Sequence, residues 1–352
     1  MRGCERLTAS KLNASFKIER IAGLSDERKS IVVIGGGSGS SAALRGLKSY
    51  DVNLTAIVTM FDSGGSTGIL REEFGYPPLG DIRQCLVALS PNGNEQVSAL
   101  NKALDFRFDS ESSLQGHSVG NLVLAALTTV YQGVQGAIDE LSRMMQLVGQ
   151  VVPVTLDEAH LCARLVDGTV IRTESAIDLR GNNGPGISEV FLDADVKANP
   201  RALEAITNAD AVLLGPGDLY TSVIPNLLVE EVSAAIRDTD SPVLYACNLM
   251  TKLGETAGYG ASTFASEVVR YIGGRKLDHL LVNDAEFSEQ VISVYAAEDA
   301  SPVELDNGNA ENFAHEIMVS DLAFVDDLTV RHNSERLAEI VMAAIQTPAR
   351  TR

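Results

Sequence analysis

The chain has no tryptophan, only four cysteines, and 28 lysines and arginines against 47 aspartates and glutamates in 352 residues. Each scarcity excludes something. A formal charge of −19 argues against sequence-independent nucleic-acid binding, which needs a surplus of basic side chains to displace counterions. Cys4, Cys85, Cys162 and Cys247 form no C-x-x-C pair. Neither a zinc site nor a disulfide framework is indicated, and a reduced cytoplasmic protein is the expectation. No apolar run reaches the length of a membrane span. Residues 1–28 mix charges of both signs without an apolar core segment, so they read as a flexible tail and not as a secretory signal. The patterns H-E-x-x-H and G-x-S-x-G are absent, which removes zinc-protease and serine-hydrolase chemistry. No loop ends in the G-K-[ST] of a Walker-type phosphate loop.

Glycine is plentiful by contrast, at 30 residues, and it is grouped. Ile31 to Ile34 is a short β-branched run, as in a strand buried on both faces of a parallel sheet. Gly35, Gly36, Gly37, Ser38 and Gly39 follow, and Ser40 to Lys48 reads as a helix. A strand that ends in glycines and opens a helix presents backbone N–H groups and a positive dipole end, which suits a phosphate. A second strand, Asn53 to Met60, runs into a loop containing Asp62, Ser63, Gly64, Gly65 and Ser66. The two loops are expected to converge on one pocket at the carboxyl edge of the sheet. Pro77-Pro78-Leu79-Gly80-Asp81 follows, with Asp81 as N-cap of a helix from Ile82 to Leu89. Arg83 and Arg71 stand close enough in sequence to help hold an anion.

Helices over Asn94–Phe106, Val119–Gln132 and Val134–Gln146 read as crossovers covering the sheet. From Val151 to about Asp193 the texture turns to short strands, with a hairpin at Asp167-Gly168 and a polar loop from Arg180 to Gly186. The α/β rhythm then resumes. A helix opens at Asn199-Pro200, and the strands Ala211–Leu214 and Pro242–Cys247 each run into a polar loop, Gly215 to Ser222 and Asn248 to Thr256. His279–Val282 reads as a further strand. Val291–Tyr295, Pro302–Leu305 and Glu316–Val319 alternate like edge strands, and Ser334 is an N-cap candidate for a helix to Ile345. The fold expected is α/β, a Rossmann-like, doubly wound, mainly parallel sheet. Residues 29–352 form a single domain in this reading, with a β-rich insert at about 151–193.

Gly37 to Ala42 satisfies G-x-G-x-x-A, and Asp62 falls where a Rossmann acid grips a ribose, so a nicotinamide oxidoreductase is one reading. Asp62 also suits a general base or a Mg²⁺ ligand, and Asp81 suits a share in that work or plain capping. His117, between Gly116 and Ser118, is the best acid/base histidine, with capping or packing as its ordinary alternative. His160 and His279 fall on predicted strands and read as structural. His332 stands near a late turn from which it can reach the sheet edge.

At these same residues the sequence resembles the YvcK and CofD-like superfamily. The resemblance rests on Val33-Ile34-Gly35-Gly36-Gly37-Ser38-Gly39, the Asp62–Gly68 loop, Pro77 to Arg83, and Gly116-His117-Ser118-Val119-Gly120-Asn121. It continues in Gly215-Pro216-Gly217-Asp218-Leu219-Tyr220-Thr221-Ser222 with Pro225-Asn226, Cys247 to Thr251, Gly254-Glu255-Thr256 and Arg331-His332-Asn333. CofD-type members transfer a phospholactyl group from a guanosine diphosphate conjugate to a deazaflavin. YvcK-type members, often called gluconeogenesis factors, bind UDP-sugars and support cell-wall morphogenesis and growth on gluconeogenic carbon.

The resemblance implies a site for a UDP-sugar or another nucleoside diphosphate conjugate. Gly35, Gly36, Gly37, Ser38, Gly39, Gly64, Gly65, Ser66, Arg83, Asn121, Gly215, Gly217, Tyr220, Thr221, Ser222 and Asn248 would line it. Asp81 would face a second substrate, with Asp62 as a candidate Mg²⁺ ligand. The YvcK pattern usually has two adjacent aspartates where this chain has Asp62-Ser63, and an aspartate where it has Ala257. Loss of the second carboxylate weakens transferase chemistry and leaves nucleotide binding intact. The expected function is a UDP-sugar-binding factor of the YvcK type, with a CofD-like transferase as the alternative and a homo-oligomer as an open arrangement.

Overall fold

The computed structural model describes residues 28–109, 114–181, 184–306 and 309–346. Residues 1–27 of the expected tail, and Asn182-Asn183 of the polar loop, lie outside the described residues. In chain order the strands are β1 (Lys29–Gly35), β2 (Val52–Val58), β3 (Gly149–Pro153), β4 (Leu161–Leu165), β5 (Val170–Arg172), β6 (Ile187–Leu192), β7 (Ala211–Leu214), β8 (Val243–Ala246), β9 (Leu277–Asn283), β10 (Ala314–Ser320), β11 (Ala323–Asp326) and β12 (Thr329–His332). The helices are α1 (Gly37–Leu47), α2 (Gly65–Phe74), α3 (Gly80–Ala88), α4 (Glu95–Asp105), α5 (Val119–Val130), α6 (Val134–Met145), α7 (Glu174–Asp178) and α8 (Pro200–Thr207). They continue with α9 (Ile224–Leu227), α10 (Glu230–Asp238), α11 (Ala261–Tyr271), α12 (Glu289–Ala296) and α13 (Ser334–Ala344).

A seven-stranded sheet in the order β10-β9-β8-β7-β1-β2-β3 forms the centre. Every pairing in it is parallel. The central strands β7 (AVLL) and β8 (VLYA) are buried along their whole length, as an apolar run covered by helices on both sides requires. The chain walks outward from β1 to β2 and β3, then returns to the other side of β1 as β7 and walks outward again. The order therefore reverses between β1 and β7. Loops leaving those two strands must part in opposite directions, and a crevice opens between them.

Several expectations change in the structure. Strand β3, predicted as the start of the insert, pairs in register with β2 as an edge of the central sheet. The insert is an antiparallel sheet in the order β5-β4-β6, and it contains the helix α7 within what reads as strand. Val291–Tyr295 lies in α12, because Ser288 caps it by accepting from the Val291 N–H at 3.3 Å; alternation over five residues does not discriminate strand from helix. Pro302–Leu305 is extended but joins no ladder beyond one bridge from Pro302 to Met250. Helix α1 begins at Gly37, inside the glycine run, with Gly36 as N-cap. Leu79 takes the N-cap position of α3, so Asp81 sits in the first turn with its carboxylate released for another partner. Asn333, not Ser334, caps α13, accepting from the N–H groups of Glu335 and Arg336 at 3.1 and 3.2 Å.

Helices α1 and α13 cross where Gly46 faces the backbone of Ser334. A Cβ at Gly46 would overlap the Ser334 carbonyl oxygen. Gly46→Ala is therefore expected to destabilise the fold by about 1–3 kcal/mol, the usual cost of overpacking, despite alanine's better helix propensity. Urea unfolding should show a lower midpoint at an unchanged m-value; an unmoved midpoint would mean that the two helices have room to part.

Candidate functional site

A cleft of about 1,100 Å³ opens at the β1/β7 reversal. Its floor is Gly36, Gly37, Ser38 and Gly39, where β1 turns into α1. Gly37 has φ +65°, a left-handed conformation that favours glycine. Gly39 packs so tightly on the Pro216 carbonyl that any side chain there would separate the loops after β1 and β7. Gly217, Asp218 and Ser222 form the adjoining wall, and Asn248 to Leu253 follow from the loop after β8. Asn248 is held by its own amide, which donates to the Gly217 carbonyl at 3.0 Å, while the Tyr245 hydroxyl donates to its side-chain oxygen at 3.3 Å.

Two further walls were not legible as such in the sequence. Asp178 to Gly181, leaving α7, bring the insert to the cleft, and Arg331 to Glu335 bring the β12–α13 turn. His332 does reach back to the edge, with Nε2 3.2 Å from the Cys247 carbonyl. Burial pushes its imidazole down to about 4, so at neutral pH it is an uncharged donor to that carbonyl. Arg45, on α1, also lines the cleft; burial, and next the charge of Arg331, lower its pKa. Arg45 and Lys252 carry no motif, and only their positions near the glycine loop and after β8 hinted at them.

Lys252 lies among three carboxylates. Its Nζ is 2.7 Å from Asp218 and 3.0 Å from Glu255, and it also pairs with Asp178. Burial works against its charge, but Asp218 and then Glu255 outweigh that and hold it protonated. Arg180 donates to the Gly254 carbonyl, which fastens the insert to the same loop.

Other predicted residues fall elsewhere. Gly35 ends β1, its carbonyl accepting the Thr59 N–H at 3.0 Å, and the Gly215 N–H returns to Ile34 at 2.8 Å; both support the floor from beneath. Tyr220 turns into the core, its hydroxyl bonded to Glu267 at 3.1 Å and 3.0 Å from that of Tyr259, and Thr221 is buried beside it. Arg83 is buried and pairs with Asp105, tying α3 to α4. His117 is buried, with Nδ1 3.4 Å from the Gln115 carbonyl. None of these lines the cleft.

The second glycine loop stands behind the first one. Asp62 Oδ1 accepts the Gly64 N–H at 2.8 Å, Gly65 and Ser66 begin α2, and the Asn121 amide is 3.5 Å from the Ser66 hydroxyl. Asp81 lies against the backbone of Gly36 and accepts from the Gly37 N–H. Burial, and next the charge of Asp62, push the Asp81 carboxyl up to about 7. The same two causes push Glu174, from α7, up to about 8. Ser63 is fully engaged: its N–H donates to Glu174 at 3.1 Å, its hydroxyl donates to that of Ser175 at 3.1 Å, and the Ser175 N–H donates back at 2.9 Å. A cleft of mixed charge and an acidic pocket thus share one glycine loop.

These carboxyls give a pH dependence whose sign follows from linkage. A group near 3.8 when unfolded and about 7 when folded keeps its proton longer in the folded state. Its favourable contribution is complete below the unfolded value and is lost as pH rises through 7. Melting temperature should fall from pH 5 to pH 8, and Asp81→Asn should flatten that fall; an identical slope in the variant would disprove the Asp81 assignment.

Comparison with known proteins agrees with this architecture. The family described as 2-phospho-L-lactate transferase CofD matches residues 31–323. The gluconeogenesis factor of Halalkalibacterium halodurans is 38% identical over 317 residues, covering 90% of this chain and 96% of that protein. That of Bacillus subtilis is 34% identical, covering 90% and 98% respectively. A crystal structure of a Bacillus halodurans protein superposes with a TM-score of 0.85 at 38% identity, over 90% of this chain and all of that one. With the family match running through most of the α/β sheet and the relatives through nine-tenths of its length, this chain belongs to the CofD/YvcK superfamily.

Proposed function

We propose that the chain binds a nucleoside diphosphate conjugate, a UDP-sugar foremost, in the β1/β7 cleft. In this reading it serves as a factor for gluconeogenic growth and cell-wall morphogenesis, in line with the gluconeogenesis-factor names of its relatives. One observation carries the reading. Helix α1 starts at the cleft floor with Gly36 as its N-cap; Asp81 takes the Gly37 N–H from behind, while Ser38 and Gly39 of the same first turn line a space large enough for a nucleotide with a sugar attached. Arg45 and Arg331 line the same space, which also holds Asp178, Asp218, Glu298 and Glu335. A nicotinamide site is less well supported, because Asp62 does not line the cleft where a ribose-gripping acid would stand.

Binding without turnover is favoured by Ser63. The position that usually carries a second aspartate in the YvcK pattern is spent on fastening α7, and Glu174 beside it is pushed toward its protonated form. Asp62 and Asp81 supply hard oxygen donors of the kind Mg²⁺ takes. They would hold it behind the glycine loop and not beside a phosphate in the cleft, which neither of them lines.

UDP-N-acetylglucosamine should raise the melting temperature more than NAD does, with a stabilisation of about 2.7 kcal/mol at 100 times its dissociation constant. Gly37→Val should abolish that shift while circular dichroism stays native; equal stabilisation by NAD would reverse the ligand assignment.

Purified protein with UDP-N-acetylglucosamine and Mg²⁺ should release no uridine monophosphate above the buffer blank. Asp81→Asn should keep UDP-sugar affinity within about tenfold, or 1.4 kcal/mol. Enzyme-dependent donor breakdown that disappears in Asp81→Asn would instead establish a transferase.

A further inference from the structure

We propose that Asp178, Asp218 and Glu255 form a divalent-cation site on the cleft wall, and that the Lys252 ammonium is the cation which occupies it when no metal is bound. One carboxylate oxygen from each of the three residues lies within 4.8 Å of the other two. They come from three separate segments: the end of α7, the loop after β7 and the loop after β8. All three converge on the Lys252 ammonium, so the arrangement is one that collects positive charge.

Glu255 supplies an independent indication. Its side chain is only 1% exposed, yet its Oε2 receives no hydrogen bond. A buried carboxylate ordinarily gathers N–H or O–H donors. Here Oε1 has the ion pair with Lys252 and Oε2 has no hydrogen-bond donor at all. A buried carboxylate with one oxygen free of donors, grouped with two further carboxylates, is what a metal ligand looks like before its metal arrives.

Charge and ligand chemistry define the occupant. Three carboxylates face one ammonium, so the cluster carries negative charge in excess, which a divalent cation balances. The donors are all oxygen, which selects Mg²⁺, Mn²⁺ or Ca²⁺ over Zn²⁺ or Cu²⁺. Lysine is a point charge on a flexible four-carbon stem, and Lys252 already lines the cleft. Metal entry therefore displaces the ammonium into the space beside Gly217 without unfolding anything. A lysine locked in ion pairs becomes one available to an anion, so metal and phosphate-bearing ligand should strengthen each other. That last coupling rests on the proposed nucleotide site; the metal site itself does not.

The test is titration of the full chain with Mn²⁺ alone, free Mn²⁺ being read by its electron paramagnetic resonance signal. Lys252→Met removes the competing ammonium and should tighten Mn²⁺ binding at least tenfold, while Asp218→Asn in the otherwise unchanged chain should weaken it at least tenfold. Mn²⁺ held at Asp62 and Asp81 would be indifferent to both substitutions, so that site cannot imitate the result. If Lys252→Met does not fold, the Asp218→Asn titration decides alone. Affinities unchanged by the variants that fold would overturn the proposal and leave the cluster as an ion-paired fastening of the insert.

Discussion

The structure depends on backbone meeting backbone where the loop after β1 touches the loop after β7. Gly39 rests on the Pro216 carbonyl with no space for a β-carbon, and the strands behind them are held in register, Ile34 beside Leu214. Loops that diverge from a reversal in strand order leave a crevice by topology alone. What glycine adds is that the crevice has a floor of main chain. A floor of amide groups is rigid, polar and independent of side-chain rotamers, whereas the flanking walls are built from long side chains that can adjust. The conformational cost of so many glycines is offset by β1, β7 and β8, whose buried apolar runs anchor both loops.

Charge is distributed with equal consequence. On one side of the first glycine loop stand Arg45, Arg331 and Lys252 among Asp178, Asp218, Glu298 and Glu335; on the other stand Asp62, Asp81 and Glu174. Asp81 touches the loop from behind and takes the Gly37 N–H. The peptide units between are polarised from both directions. A phosphate arriving at the cleft side would feel the acidic pocket through a single layer of backbone. Protonation of Asp81 and occupation of the cleft are therefore electrostatically linked, even though the two sides share no side chain.

Most of the sheet was readable because parallel strands buried on both faces are near-continuous apolar runs. Ala211–Leu214 appears in the structure with the bounds read from the sequence. The loop after β1 was readable for the same reason, since glycines after such a run have few other uses. Readability ended where geometry is set by tertiary partners. Tyr220 and Arg83 look like ligand-binding residues because polar groups in glycine-rich blocks usually are. Glu267 and Asp105, remote in sequence, claim them instead. Asp81 reads as an N-cap until the neighbouring loop takes its carboxylate. Lys252 carried no signal beyond its place in the loop after β8, for its significance comes from Asp178 and Asp218, which approach from 74 and 34 residues away.

The crossing of α1 and α13 at Gly46 has a consequence for how the molecule comes into being. The cleft floor lies near the start of the sheet and one of its walls, Arg331 to Glu335, near the end of the described chain. Synthesis proceeds from one to the other, and domains generally fold as units while the chain emerges. The floor segment leaves the ribosome early, but it can meet β7 and then the wall only once nearly the whole chain has emerged. A ligand that needs floor and wall together cannot assist the nascent chain. It would reward only the finished molecule.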